Sequence, residues 1–561
     1  MIQLLDRLLD VAMPHLVAAP ILVPMLTAAL MLLLQERHRR IKSALSVVSG
    51  LVGLVVALAL LRWVNAPDTG TGAGSIGVYL PGNWKAPFGI VLVADRLSAM
   101  MVALTGVVAF AASIYSTSRW DRAGVHFHPL LQLQLMGLNG AFLTGDLFNL
   151  FVFFEVMLAS SYGLLLHGSG RKRVSAGLHY IAINLAASSL FLIGAAMLYG
   201  ATGTLNLADM GLRISQLAAE DRGLVHAAAA ILATAFFAKA GAWPLNFWLV
   251  PGYSAAVPPV SAVFALLTKL GIYTVLRIWS LLFPQDGGAS AQFGQTVLLG
   301  LGMSTLVVAA LGIVGTQKLA QLASYSVLIS AGTLLTAVGL GQAAVWSGAL
   351  FYLLSSTLAA AAFFLLIDIV ERWRNAGMSI APHELAGRAP FLSEDLKALE
   401  DVNLDDEQQA LYGRAIPAGV AFLGLSFLGC TLLIAGLPPL SGFIGKVAML
   451  AGLFESTMDR SSWLFLALIL ISGFLSLVAL ARAGIRYFWT QPHGRLPSLP
   501  ALEVLPVAML LTSCLVLTVF AEPVMQHVRA TASTLSQPAL YRDAVMGARQ
   551  IPGPTLKDAT P

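Results

Sequence analysis

The sequence is poor in charge. Of its 561 residues 11% are Asp, Glu, Lys or Arg, against 57% that are hydrophobic. Soluble domains carry about a quarter charged residues, so this is not a soluble composition. Cysteine is nearly missing. Cys430 and Cys514 are the two present, both in apolar runs and without CxxC spacing. That excludes a disulfide framework, an iron–sulfur site and a cysteine-based zinc site, and no metal or cofactor is expected. A cleavable leader is not read at the N-terminus. There MIQLLDRLLDVAMPHL carries acidic residues and leads into a full-length apolar span. Lys and Arg exceed Asp and Glu, 33 to 28. They fall in short clusters between apolar runs, where they act as topology determinants, and a nucleic-acid partner is not expected.

What the chain has instead is apolar length. Runs of about 17–27 residues recur almost without pause. They read as spans at 16–34, 43–64, 93–116, 127–145, 147–168, 174–200, 224–250, 256–282, 295–316, 319–341, 345–371, 417–453, 462–489 and 502–521. The expected fold is an all-α integral membrane protein of about fourteen transmembrane helices. Basic residues mark the loops after odd-numbered spans: Arg37, Arg39, Arg40 and Lys42, then Arg119 and Arg122, then Arg171, Lys172 and Arg173. Lys318, Arg372, Arg374, Arg486 and Arg495 continue the series. The positive-inside rule makes those loops cytoplasmic and puts both termini outside. Arg529, Arg542, Arg549 and Lys557 in the tail oppose this mildly.

Three stretches are not membrane-like. Residues 65–92 form a Gly- and Pro-rich loop whose GTGAGSIG (70–77) lacks the strand and helix of a phosphate cradle. Residues 373–416 form a polar insertion with Glu394, Asp395, Glu400, Asp401, Asp405, Asp406 and Glu407. It is expected to be cytoplasmic and partly helical, a solvated face or a docking surface. Residues 526–561 read as a polar tail, poorly ordered at its end.

A charge in hydrocarbon is costly, so each one inside a span is a functional candidate. Glu155, Lys239 and Lys269 lie mid-span, and Lys446 follows a helix break. Asp146 and Asp368 lie near span ends, where they can reach the interface, and Arg277 can snorkel. His179 starts the sixth span. Hydroxyls at Ser324, Tyr325, Ser326, Ser330, Ser355, Ser356 and Thr357 could carry water-mediated links, although such residues more often serve packing.

Two spans are interrupted. Pro244, Pro251 and Gly252 follow Lys239, and Gly436, Pro438, Pro439, Gly442 and Gly445 precede Lys446. Proline removes a backbone donor and clashes with the preceding turn. A broken helix in a membrane must line a polar cavity or be packed in protein. Spans four to eight and nine to thirteen then read as two five-helix units, each with its fourth helix broken. Five is odd, so the second unit is inverted relative to the first, a pattern that points to an ion site at the midplane. The domain expectation is three N-terminal helices (1–125), a first repeat (126–285, broken near 239–252), a second repeat (290–490, broken near 436–445), a last helix (500–525) and the tail. Buried lysine loses its proton more easily, and a nearby carboxylate opposes that, so these groups have the physical logic of a proton relay.

The stretches GDLFNLFVFFEVM (145–157), KAGAWPLNFWLVPGYSAAVPPVSAVFALLTKLGIY (239–273) and GLPPLSGFIGK (436–446) resemble the antiporter-like subunits of respiratory complex I and their relatives. Within that superfamily the chain is most similar to the D-type subunits of the Mrp-type (also Pha or Mnh) monovalent cation/proton antiporters. The acidic GDLFNLFVFFE motif, Lys446 in place of the glutamate of one complex I subunit type, and the chain end soon after span fourteen favour that branch. The resemblance implies a bacterial inner-membrane protein with no cofactor, assembled with small membrane subunits and a large A-type subunit. It implies that Glu155 pairs with Lys239, that Lys269 connects, and that Lys446 is the distal lysine of a lateral proton path. Na⁺ or K⁺ exchange would be coupled to that path by the assembly. Ser330 stands where relatives often carry histidine, and His179 where they often carry lysine. The alternatives are a proton-pumping subunit of complex I or of a membrane-bound hydrogenase, and a scaffold whose buried charges only fix packing. A lone glutamate with lysines suits protons, because a dehydrated cation wants several oxygen ligands together.

Overall fold

The computed structural model describes residues 15–66, 76–218, 220–378, 417–455, 458–489 and 499–550. Expectations for Gly70, Gly72 and Gly74, for 379–416 of the insertion, for Arg495 and for the last residues of the tail lie outside these. Nineteen α-helices follow one another among the described residues. The first three are α1 (Ala19–Leu33), α2 (Arg39–Val64) and α3 (Arg96–Ser116). A first group of six comprises α4 (Phe127–Leu143), α5 (Leu147–Leu165), α6 (Arg171–Thr202), α7 (Leu207–Gln216), α8 (Arg222–Ala240) and α9 (Leu249–Ala255). Next come α10 (Pro258–Leu282), α11 (Gln295–Gly315), α12 (Leu319–Leu340) and α13 (Ala343–Met378). The series ends with α14 (Ala418–Ala435), α15 (Ser441–Phe454), α16 (Arg460–Gly484), α17 (Ala501–Val519), α18 (Ala521–Leu535) and α19 (Pro538–Met546). A short antiparallel hairpin pairs Gly77–Tyr79 with Leu92–Ala94.

Twelve of the helical stretches are long and apolar enough to cross a membrane. The first and fourth expected spans form helices of 15 and 17 residues, so fourteen is not reached on this measure. A 17-residue helix rises about 25 Å, short of the hydrocarbon core. In α4 the apolar run is also diluted by buried His128, Gln132, Gln134 and Asn139. Helices α7, α18 and α19 were not expected. They are shorter than a span, and Asn206 caps α7 by accepting from Ala208 N at 3.0 Å. The stretch read as a polar tail thus begins with two helices: α18 packs against α13, and α19 against α7.

Depth orders the bundle. Helices α10, α12 and α13 are buried nearly all round, whereas α2, α6, α11, α14, α16 and α17 turn much of their surface outward. The buried lysine of α10 therefore lies at the centre. The two breaks fall where proline and glycine cluster. Between α8 and α9 the chain turns at Gly241 (φ 74°), with a cis Trp243–Pro244 bond. Between α14 and α15 it turns at Gly436 (φ 74°), with a cis Pro438–Pro439 bond. Both glycines take the left-handed conformation that closes a helix C-terminus and that an L side chain resists. Each break interrupts the fourth span of a five-span unit. Packing recurs between the units: the first and second spans pair (α4 with α5, α11 with α12), and the third embraces the broken one (α6 with α8, α13 with α15).

Candidate functional site

Three helices bring the first charges together. Glu155 lies on α5, Lys239 in the last turn of α8, and Ser188 on α6 between them. The Ser188 hydroxyl donates to Glu155 Oε1. Lys239 Nζ donates to Ser188 Oγ at 3.3 Å. The expected Glu155–Lys239 pair is thus bridged by a hydroxyl. The Lys239 ammonium also sits 4.9 Å from the centre of the Phe154 ring, whose negative face favours a cation. Phe154, Phe191 and Phe236 pack on one another around it, with centroids 5.2–6.4 Å apart. Helix α10 approaches α8 where Gly271 faces Ala240. A Cβ at Gly271 would lie 2.7 Å from the Ala240 nitrogen, so the glycine admits the close contact that seats Lys239 beside the central helix.

Lys269 is 1% exposed on α10, and no hydrogen-bond or ion-pair partner for its ammonium is found among the described residues. An isolated ammonium in that setting calls for water as a partner. Beyond it lies a hydroxyl cluster. Ser330 and Ser356 meet at 2.9 Å, Tyr352 lies against Ser330 and Thr333, and Ser355 meets Ser441 of α15 at 2.8 Å. Of the hydroxyls noted in the sequence, Ser330, Ser355 and Ser356 join neighbouring helices. Ser324, Ser326 and Thr357 instead bond to carbonyls of their own helix, a common satisfaction of such groups.

Lys446 is 7% exposed. Its Nζ donates to the Ala435 carbonyl at 2.7 Å, one of the unpaired carbonyls at the C-terminus of α14, where the helix dipole favours a cation. Gly436 makes room for it: a Cβ there would sit 2.6 Å from Lys446 Cδ and 2.9 Å from Nζ. The two lysines thus differ in placement. Lys239 precedes its break, while Lys446 follows its break and reaches back across it.

Other expected residues do not join this line. His179 is exposed on α6, its Nδ1 3.0 Å from the Ser175 carbonyl. The neighbouring Tyr180 takes the inward face and meets Ser161 at 2.8 Å. Asp146 caps α5 by accepting from Asn149 N at 2.8 Å. Asp368 belongs to a separate polar knot: it accepts from Tyr115 at 2.8 Å and pairs with Arg119 and Arg372, both at 3.3 Å. Arg372 also binds Glu503 of α17. Arg277 does not snorkel. It is 5% exposed, pairs with Asp95 at 2.7 Å, and has the Tyr541 ring of α19 5.1 Å away.

Ser188, Asp95 and Glu503 were not singled out in the sequence. Asp95 and Glu503 sit at the edges of apolar runs, where a carboxylate reads as interfacial. Ser188 looks like any small packing residue.

With this geometry in view, comparisons with known proteins place the chain. Residues 144–394 match the family model described as "NADH:quinone oxidoreductase/Mrp antiporter, TM". A probable K(+)/H(+) antiporter D subunit of Rhizobium meliloti (strain 1021) is 50% identical over 541 residues, covering 95% of this chain and 98% of that protein. The Na(+)/H(+) antiporter D subunit of Alkalihalophilus pseudofirmus is 32% identical over 549 residues, covering 95% and 100%. In fold, the chain is similar to one in the solved Mrp complex of Dietzia sp. DQ12-45-1b, with a TM-score of 0.78 at 24% identity, covering 96% and 100%. A chain of respiratory complex I from Thermus thermophilus follows at 0.71 and 22%, covering 93% and 99%. A multi-pass membrane protein with two broken helices and buried lysines beside them, this chain belongs to the D-subunit family of Mrp-type multisubunit cation/proton antiporters.

Proposed function

We propose that this chain is the proton-carrying membrane subunit of a multisubunit Na⁺/H⁺ or K⁺/H⁺ antiporter in a bacterial inner membrane. It is part of a secondary transporter and not an enzyme, and it works with small membrane subunits and a large A-type subunit. The names of the relatives support the exchange reaction. The Arg- and Lys-rich loops after odd spans support termini on the outer side. The pairing within each five-helix unit supports two inverted repeats at 126–285 and 290–490.

The observation that carries the reading is the Lys239–Ser188–Glu155 connection beside a helix break. It offers a proton a donor, a bridge and an acceptor inside the bilayer. Lys269, the Ser330–Ser356 contact with Tyr352, and the Ser355–Ser441 contact extend the line toward Lys446, with water completing the gaps. Asp146, Asp368 and His179 act outside it, as a cap, in an interfacial ion-pair cluster and on the outward surface. Protons then move laterally along the midplane, and the cation takes another route in the assembly.

The test is exchange in everted vesicles that contain the whole complex. Glu155→Gln, Lys239→Ala and Lys446→Ala should each lower Na⁺- or K⁺-dependent proton release by about a hundredfold or more, within the range expected for removing a positioned proton-transfer group. Normal exchange by all three variants in assembled complexes would refute the relay.

A further inference from the structure

We infer that Ser188 is a positioning residue that makes proton transfer between Lys239 and Glu155 stepwise, one proton per reorientation of its hydroxyl, an inference that rests on the relay reading above. Its neighbours in α6 show what a membrane serine ordinarily does. Ser189 donates to the Leu185 carbonyl at 3.1 Å, and Thr202 to the Leu198 carbonyl at 2.7 Å, each satisfied within its own turn. Ser188 does otherwise: its hydroxyl donates to a carboxylate on α5 and accepts from an ammonium on α8.

Aromatic rings crowd this contact, with Ser188 and Lys239 buried and Glu155 half-buried. Each of the three helices supplies one polar group and one ring: Glu155 and Phe154 from α5, Ser188 and Phe191 from α6, Lys239 and Phe236 from α8. The rings are 0–1% exposed and touch one another. A hydroxyl held there takes the place that a water molecule would fill in a wetter path.

A serine oxygen donates one proton and accepts through its lone pairs. Transfer breaks the Ser188 O–H bond as an O–H bond forms on Glu155, and breaks one Lys239 N–H bond as a new O–H bond forms on Ser188. The products are a neutral carboxyl, a neutral amine and an intact hydroxyl, so atoms and charge balance. The new hydroxyl proton now faces Lys239. A second proton cannot follow until the hydroxyl turns back toward Glu155. A direct ion pair has no such intermediate orientation. The bridge therefore passes one proton per reset.

Threonine and valine separate this role from packing, because they share a shape and differ in the hydroxyl. In assembled complexes, Ser188→Thr should keep the wild-type pH profile of exchange and a rate within about threefold. Ser188→Val should lose about a hundredfold, the low end of what a positioned proton-transfer group contributes. If Ser188→Val exchanges like Ser188→Thr while Glu155→Gln is inactive, the serine inference is overturned and the relay stands. If Glu155→Gln and Lys239→Ala exchange normally, the relay reading itself falls. Should valine prevent assembly on a native gel, Ser188→Cys takes its place, since a thiol is a weak donor of similar size. A slowed cysteine variant supports the role, and an unslowed one overturns it.

Discussion

Replacing Gly436 with alanine should dislodge Lys446. The substitution acts twice. Gly436 sits at φ 74°, a left-handed conformation that costs an L residue about 1–2 kcal/mol. The new methyl would also fall 2.6 Å from Lys446 Cδ and 2.9 Å from Nζ. The lysine side chain is the flexible partner, so it gives way and leaves the Ala435 carbonyl that it holds at 2.7 Å. A hydrogen bond to a charged group contributes about 1.5–3 kcal/mol. The two effects together come to about 2.5–5 kcal/mol. A double-mutant cycle separates them. In the Lys446→Met background the ammonium is already gone, so Gly436→Ala should cost the backbone portion alone. The coupling between the positions should be about 1.5–3 kcal/mol, a factor of about 10–150 in an equilibrium constant. The assay is the unfolding equilibrium of the purified complex in detergent, read alongside exchange in vesicles. An equal cost of Gly436→Ala in both backgrounds would show that the glycine serves the backbone alone, and would refute the account of Lys446.

The Asp95–Arg277 pair, buried at 2.7 Å, should behave asymmetrically. Arg277→Met strands a buried carboxylate and should cost about 3–5 kcal/mol, and adding Asp95→Asn should restore part of it, measured as the unfolding midpoint of each variant. Burial of His527 on α18 holds its imidazole below the usual histidine range. The neutral ring is the folded form, so its stabilisation is present above the unfolded value near 6.5 and is lost as pH falls toward the folded value. Hydrogen exchange across 521–546, corrected for intrinsic rate, should therefore quicken from about pH 7.5 to about pH 5.5, and His527→Gln should flatten that dependence.

The parts of this fold that could be read from the sequence are those where the membrane leaves few choices. Glu155, Lys239, Lys269 and Lys446 stood out because a charge in hydrocarbon has no cheap explanation. The breaks at Gly241 and Gly436 stood out because proline and glycine cannot be hidden in a span. Ser188 did not, because its meaning lies in two partners 33 and 51 residues away in the chain. His179 shows the limit of placing a side chain by span alone: one position on, Tyr180 turns inward while the histidine turns out. Arg277 was misread for a similar reason. Nearness to a span end suggests water, but Asp95 and the Tyr541 ring close over it, and the helix that carries Tyr541 is too short and mixed to resemble a span.

The two broken helices carry their lysines on different arms, and that has a mechanical consequence. Lys239 rides on the arm before its break and bonds to a neighbouring helix, so bending at Gly241 leaves that bond alone. Lys446 spans its own break: the ammonium is on one arm and the carbonyl that it grips is on the other. It is a latch across a hinge. A positive charge there strengthens the latch, and loss of the proton slackens it. A movement that opened the break would draw the ammonium away from that carbonyl. Of the two breaks in this chain, the second is the one that a charged group bridges.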